Sequence, residues 1–170
     1  WVTMVPTMMQ RIWRLGPDVL ARFTLPSLRM MLHMAAPCAP WLKEAWIDWL
    51  GSDRVWEYYG TTEGTGSTII SGIDWLARRG SVGQVRDGYA MKILDAEGRE
   101  CPAGEVGEIF FRPEGGVGST YHYLGSTARR IGEWEAPGDL GSVDEDGYLY
   151  LSDRRSRPHL KRTPASREAR

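Results

Sequence analysis

Residues 28 to 60 constrain the fold of this chain more than any other stretch. "SLRMMLHM" carries large apolar residues from Leu28 to Met34, and Ala35-Ala36-Pro37 ends the run. An apolar run this short, stopped by small residues and a proline, reads as a strand buried on both faces of a parallel sheet. "APWLKEAWIDWLG" follows, with Pro40 suited to a first helical turn and Gly51 to a helix end. Within it Trp41, Leu42, Ala45, Trp46, Trp49 and Leu50 are placed on one helical face, and Lys43, Glu44 and Asp48 on another. "RVWEYYG" is aromatic and β-branched, which makes it a second strand. Strand, helix, strand in this order requires a parallel pair with a right-handed crossover.

In open α/β sheets ligands bind beyond the carboxyl ends of the strands. The segment leaving the second strand is "YYGTTEGTGST", residues 58 to 68, with three glycines, four threonines, a serine and the single carboxylate of Glu63. Backbone N–H groups, small hydroxyls and one hard oxygen ligand together suit a phosphate accompanied by Mg²⁺. A surface turn of the same composition is the alternative.

Upstream, "VPTMMQRIWRLGPDV" spaces Met8, Met9, Ile12, Trp13 and Leu15 at helical intervals before a Gly16-Pro17 stop. From Ser81 onward the texture changes to short strands, "SVGQV", "YAMKILD", "VGEIFFR" and "GYLYLSDR", separated by glycine-rich turns. The expected division is therefore α/β for residues 1–75, a small antiparallel barrel for 76–155, and an aberrant, basic tail without periodicity for 156–170.

The chain has 170 residues, 42% of them hydrophobic, and a net charge of -1, enough for one ordinary domain with a real core and no electrostatic case for nucleic acid or anionic membranes. No apolar run approaches the ~18 residues of a membrane span. Cys38 and Cys101 form no short-spaced pair, which points away from a disulfide framework or zinc knuckle and towards a reducing, cytoplasmic setting. Eight tryptophans, mostly in the first half, imply an aromatic-rich core. His33 is expected as a core histidine with satisfied nitrogens. A first residue of Trp1, inside apparent structure, implies a fragment.

Three motifs resemble one family. Tyr59-Gly60-Thr61-Thr62-Glu63 resembles the Tyr-Gly-x-Thr-Glu motif of adenylate-forming enzymes, the superfamily of acyl-CoA synthetases, luciferases and peptide-synthetase adenylation domains. "GEVGEIFFR", 104 to 112, looks like the family's barrel motif, and "GDLGSVDEDGYLYLSDR", 138 to 154, is similar to the stretch that ends its large N-terminal domain. "VPTMMQRI", "HMAAPCAPWLKEAWIDW" and "GSTYHYLG" look most like bacterial fatty-acyl or bile-acid type CoA ligases. The resemblance runs from about residue 2 to about residue 156.

It implies the later part of the adenylate-forming N-terminal domain, a parallel α/β layer followed by an antiparallel β-barrel subdomain. It also implies an ATP-dependent acid–thiol ligase that forms an acyl-adenylate and then acyl-CoA, with ATP, a small carboxylic acid and coenzyme A as substrates and Mg²⁺ as cofactor. Glu63 is then the Mg²⁺ ligand and the Thr62 hydroxyl holds the α-phosphate; these are the two catalytic candidates. Tyr59 lies against adenine, Gly60 lets the protein backbone approach the nucleotide closely, and Thr61 completes the loop. Ala35, Ala36 and Pro37 line the adenine edge, Asp139 in a turn accepts hydrogen bonds from ribose, and Arg154 contacts ribose or phosphate. His33 borders the acyl pocket, and Asp144 and Asp146 are turn residues.

These 170 residues contain neither the family's Ser/Thr/Gly-rich loop ending in Lys nor its domain with a catalytic lysine. The expectation is a fragment that is inactive alone, with self-association or missing domain halves as partners; the alternative is a non-catalytic nucleotide- or acyl-binding fragment or pseudogene product. A structural interaction domain whose glycine loop is only a turn is a third, weaker reading. From Arg157 the tail leaves the family pattern, and dropping one base from suitable codons for Arg157 to Arg162 restores Asp-Leu-Ile-Leu-Ser-Gly, so a frameshift is expected there.

Overall fold

The computed structural model describes residues 1–116 and 129–154. All of "GSTYHYLG" and the tail with its expected frameshift lie outside the described residues. In chain order the elements are β1 (Val2–Met4), α1 (Pro6–Trp13), α2 (Pro17–Leu20), β2 (Met31–His33), α3 (Pro40–Leu50), β3 (Val55–Gly60), β4 (Ser67–Ser71), α4 (Gly72–Ala77) and β5 (Ser81–Val85). They continue with β6 (Tyr89–Leu94), β7 (Gly107–Pro113), β8 (Arg129–Ile131), β9 (Trp134–Ala136), β10 (Asp139–Val143) and β11 (Leu149–Arg154).

The expected strand, helix, strand unit is β2–α3–β3. β2 pairs with β3 in parallel, Met31 opposite Val55 and His33 opposite Glu57, and β1 adds a further parallel strand outside β2. The strand is shorter than its apolar run, because only residues 31 to 33 find partners on both sides. α3 begins with Pro40 in its first turn, where no intrahelical N–H is needed, and stops at Gly51, whose φ of 99° suits only a residue without Cβ.

After β3 the pairing becomes antiparallel. β4 folds back on β3, β5 pairs with both β4 and β11, and β11, β10 and β7 continue the path to β9 and β8, with β6 on β7. The α/β architecture expected from the sequence is thus present, as a mixed sheet whose first strands are parallel. Glycine lets its layers touch: a Cβ on Gly66 would stand 2.1 Å from the Phe111 ring.

Two apolar clusters divide the interior. One gathers Met9, Met31, Leu42, Trp46, Ile47, Leu50, Val55, Ile70 and Trp75 between the helices and the first strands. The other gathers Val82, Ile93, Ile109, Phe111 and Leu149 in the antiparallel half. Each fully buried Leu, Ile or Phe contributes roughly 2 kcal/mol. Of the tryptophans, Trp46 and Trp75 are buried while Trp1 and Trp41 are exposed, so the aromatic excess only partly fills the core.

The helix face needs correction at two places. Trp41, assigned to the apolar face of α3, is half exposed, and Lys43, assigned to the polar face, is 1% exposed. Lys43 precedes Trp46, Ile47 and Leu50 by three, four and seven positions, so helical geometry places it inside the apolar stripe.

Candidate functional site

β2 and β3 run in parallel, so their carboxyl ends emerge at the same edge. Two residues beyond the His33–Glu57 pair come Ala35, just past the end of β2, and Tyr59, still on β3. Ala35, Ala36 and Pro37 are exposed, and Ala35 has φ of 71°, a left-handed conformation that an alanine rarely adopts. β3 ends at Gly60, which pairs with Ser67 of β4, and residues 61–66 form the loop between them. A Cβ on Gly60 would lie 2.8 Å from the Tyr58 hydroxyl and 2.9 Å from Ser67 Cβ, so its own neighbours already demand glycine.

The loop is held by its own hydroxyls. Thr61 Oγ1 accepts from the Thr65 backbone N–H at 3.2 Å and lies 2.9 Å from Thr65 Oγ1, and the Gly64 N–H donates to the Thr61 carbonyl at 3.1 Å. Thr61 is thus spent on loop structure. Thr62 is exposed, and its hydroxyl donates to Glu63 Oε2 at 3.1 Å, so the two catalytic candidates sit side by side.

Asp139 comes from a distant part of the chain. The Tyr59 hydroxyl donates to its Oδ2 at 2.8 Å, joining residues 80 apart. Asp139 does not sit in the turn itself: Gly138 makes the turn at φ 89°, and Asp139 opens β10 opposite Arg154 in the ladder with β11. Arg154 is placed there by its backbone, and its side chain lies outside what is described. Asp144 is the turn residue anticipated, with Oδ1 accepting from the Asp146 and Tyr148 N–H groups at 3.0 and 2.9 Å. Asp146 adds a contact that was not foreseen, accepting from Arg78 at 2.7 Å.

Two features escaped the sequence reading. Behind the sheet edge, Lys43 Nζ donates to Glu57 Oε2 at 2.6 Å, and His33 Nε2 lies 4.0 Å from the same oxygen. Burial pushes Lys43 down and Glu57 up, and their contact opposes both shifts. His33 is fully buried, and neither of its nitrogens has a hydrogen-bond partner among the described residues, contrary to the satisfied core histidine expected. Burial and the Lys43 charge lower its pKa to about 3. Burial, with Glu57 adding to it, raises the Cys38 thiol to about 11, so it is no nucleophile. Lys43 could have been found from its place in the apolar stripe.

The second feature is Glu135 on β9, 2% exposed, with Oε2 3.4 Å from Arg130 and Oε1 without a hydrogen-bond partner among the described residues. Burial and, after it, the charge of Glu63 push its pKa upward. Nothing in "EWEAPG" set Glu135 apart from Glu133 two places earlier.

Known proteins resemble this chain in sequence and fold. The family model described as AMP-binding enzyme matches residues 1–122. A fatty acid–[acyl-carrier-protein] ligase, ScoC, of Streptomyces coeruleorubidus is 31% identical over 157 residues, covering 88% of this chain and 29% of that ligase. A crotonobetaine/carnitine–CoA ligase of Salmonella paratyphi B is 37% identical over 120 residues, covering 66% of this chain and 23% of its own length. Among solved structures, the amide bond synthetase McbA of Marinactinospora thermotolerans superposes with a TM-score of 0.73 at 28% identity, over 90% of this chain and 31% of that one. The o-succinylbenzoate CoA synthetase of Bacillus subtilis, in complex with the acyl-adenylate OSB-AMP, gives 0.72 at 25% identity, over 90% and 30%. The chain belongs to the AMP-binding enzyme family, and it spans under a third of the length of these curated relatives. Among the described residues no helix is long and apolar enough to cross a membrane.

Proposed function

We propose that this chain carries the adenylate-binding part of an ATP-dependent acid–thiol ligase of the fatty-acyl-CoA synthetase type, acting in the cytoplasm. The observation that carries the reading is the junction of Tyr59, on the strand end, with Asp139, from the antiparallel half, beside the Thr62–Glu63 pair. A base, a sugar and a phosphate need three such groups within one nucleotide's length.

In this reading a carboxylate oxygen of the acid attacks the α-phosphorus of ATP, pyrophosphate leaves, and the coenzyme A thiol later displaces AMP from the acyl group. The Tyr59 ring lies against adenine while Ala35, Ala36 and Pro37 border its edge. Asp139 accepts from the ribose hydroxyls, its carboxylate having acceptor positions beyond the one that Tyr59 occupies. Thr62 orients the α-phosphate, and Arg154 adds positive charge from the strand beside Asp139. The oxygen donors Thr62 and Glu63 fit a hard divalent cation, and Glu63 would hold Mg²⁺. Such an ion, when bound, neutralises charge on the phosphoryl oxygens. In this reading the 170 residues supply the nucleotide half-site of the reaction. The fatty-acyl preference rests on the ScoC likeness and on the segments quoted above.

Calorimetric titration of the chain with an acyl-sulfamoyl adenosine and Mg²⁺ tests this. Saturable binding, weakened at least tenfold by Asp139→Ala and by Glu63→Ala, is expected. A folded chain that shows no binding, or binding indifferent to both substitutions, overturns it.

A further inference from the structure

Glu135 is a buried carboxylate that the foregoing mechanism does not use. β9 pairs with β7 so that Glu135 stands opposite Phe111. Residues directly opposite in an antiparallel ladder project from the same face. The Phe111 side chain identifies that face: its ring lies where a Cβ on Gly66 would be, and its centroid is 6.4 Å from that of Tyr59. Glu135 therefore projects towards the layer that holds the 61–66 loop and Tyr59.

The carboxylate is only half compensated there. Arg130 approaches Oε2, at 3.4 Å, while Oε1 is buried without a hydrogen-bond partner among the described residues. Leaving a buried carboxylate oxygen unpaired is costly, so such an oxygen marks a place where a ligand belongs. The neighbouring acid Glu108 is already engaged by Arg129 at 2.8 Å, so it does not compete for the same role. The 61–66 loop on that layer carries Glu63, whose charge also acts to raise the Glu135 pKa, and a cation between two such carboxylates relieves their repulsion.

We propose that Glu135 is a second carboxylate of the divalent-cation site that begins at Glu63, with Arg130 holding one of its oxygens and the ion taking the other. The site would offer two carboxylates and the Thr62 hydroxyl, all hard oxygen donors suited to Mg²⁺ or Mn²⁺. This deepens the proposed function and rests on its assignment of Glu63.

The test uses the 170-residue chain, with Mn²⁺ as the probe and the acyl-sulfamoyl adenosine present, read by electron paramagnetic resonance. Glu135→Gln is expected to weaken Mn²⁺ at least tenfold, as Glu63→Gln does, while analogue binding in EDTA stays within about threefold of the parent. Unchanged Mn²⁺ affinity in Glu135→Gln overturns the proposal and leaves the nucleotide reading intact. No Mn²⁺ binding by the parent overturns it too, and analogue binding lost in Asp139→Ala then still upholds the nucleotide site. Should Glu135→Gln not fold, Mn²⁺ broadening of the parent's amide resonances decides. Broadening at both 63 and 135 supports the shared site, and broadening at 63 alone removes Glu135 from it.

Discussion

Tyr59 shows how one side chain can serve two purposes. Its ring faces Phe111 and its hydroxyl ties the strand end to Asp139, so Tyr59→Phe keeps the packing and removes one part-buried hydrogen bond. A loss of about 1 kcal/mol in urea unfolding is expected, since the bond is made to a carboxylate. Ala35 predicts the opposite sign. At φ 71° its Cβ is strained, so Ala35→Gly should raise stability by about 1 kcal/mol by the same assay. His33 makes a pH prediction. Its folded pKa near 3 lies below the ordinary 6.5, so the unfolded chain binds more protons between those values. Stability carried by neutral His33 is therefore full above 6.5 and is lost as pH falls towards 3, by about 2 kcal/mol between pH 7 and pH 5. Glu57 acts in the opposite sense, its raised pKa costing stability as it ionises, so the test is the difference between the parent and His33→Gln. A difference that does not vary with pH would reject the assignment.

At the scale of elements, α3 is locked onto β3 by the Lys43–Glu57 pair, with Lys43 Nζ also 4.7 Å from the centroid of the Trp75 ring on α4. Removing one partner strands a buried charge, so Lys43→Met alone should cost about 3 kcal/mol or more, while Lys43→Met with Glu57→Gln should recover much of that loss. Chemical denaturation of the four chains of this cycle measures the coupling. The loop and the antiparallel half meet at Gly66. Gly66→Ala pushes a methyl into the Phe111 ring and should cost about 2 kcal/mol and displace the loop, read as weaker analogue binding in the same chain.

For the whole molecule, β1 pairs with β2 alone among the described strands, and Trp1, Leu15, Phe23 and Trp41 are exposed around the first elements. An edge strand beside exposed apolar side chains invites pairing with another chain. Concentration-dependent association in sedimentation velocity is expected, and a monomer with one sharp unfolding transition would refute it.

The sequence by itself determined the β2–α3–β3 unit, because hydrophobic period and proline and glycine punctuation are local properties that no distant contact had to supply. It also determined four strands of the second half, β5, β6, β7 and β11, and the loop with Glu63, since alternating strand patterns, small residues and hydroxyls announce themselves wherever they stand. Only the tertiary structure decided β4 and α4, where Ser71 caps the helix by accepting from the Asp74 N–H within a stretch whose strand and helix patterns are too short to read. It alone brought Asp139 to Tyr59 across 80 residues, turned Lys43 inward against Glu57, and set the unpaired oxygen of Glu135 in a dry interior. The physical reason is range. Helix and strand periods are written within about ten residues, whereas burial of a charge and the meeting of two polar groups depend on which elements pack together.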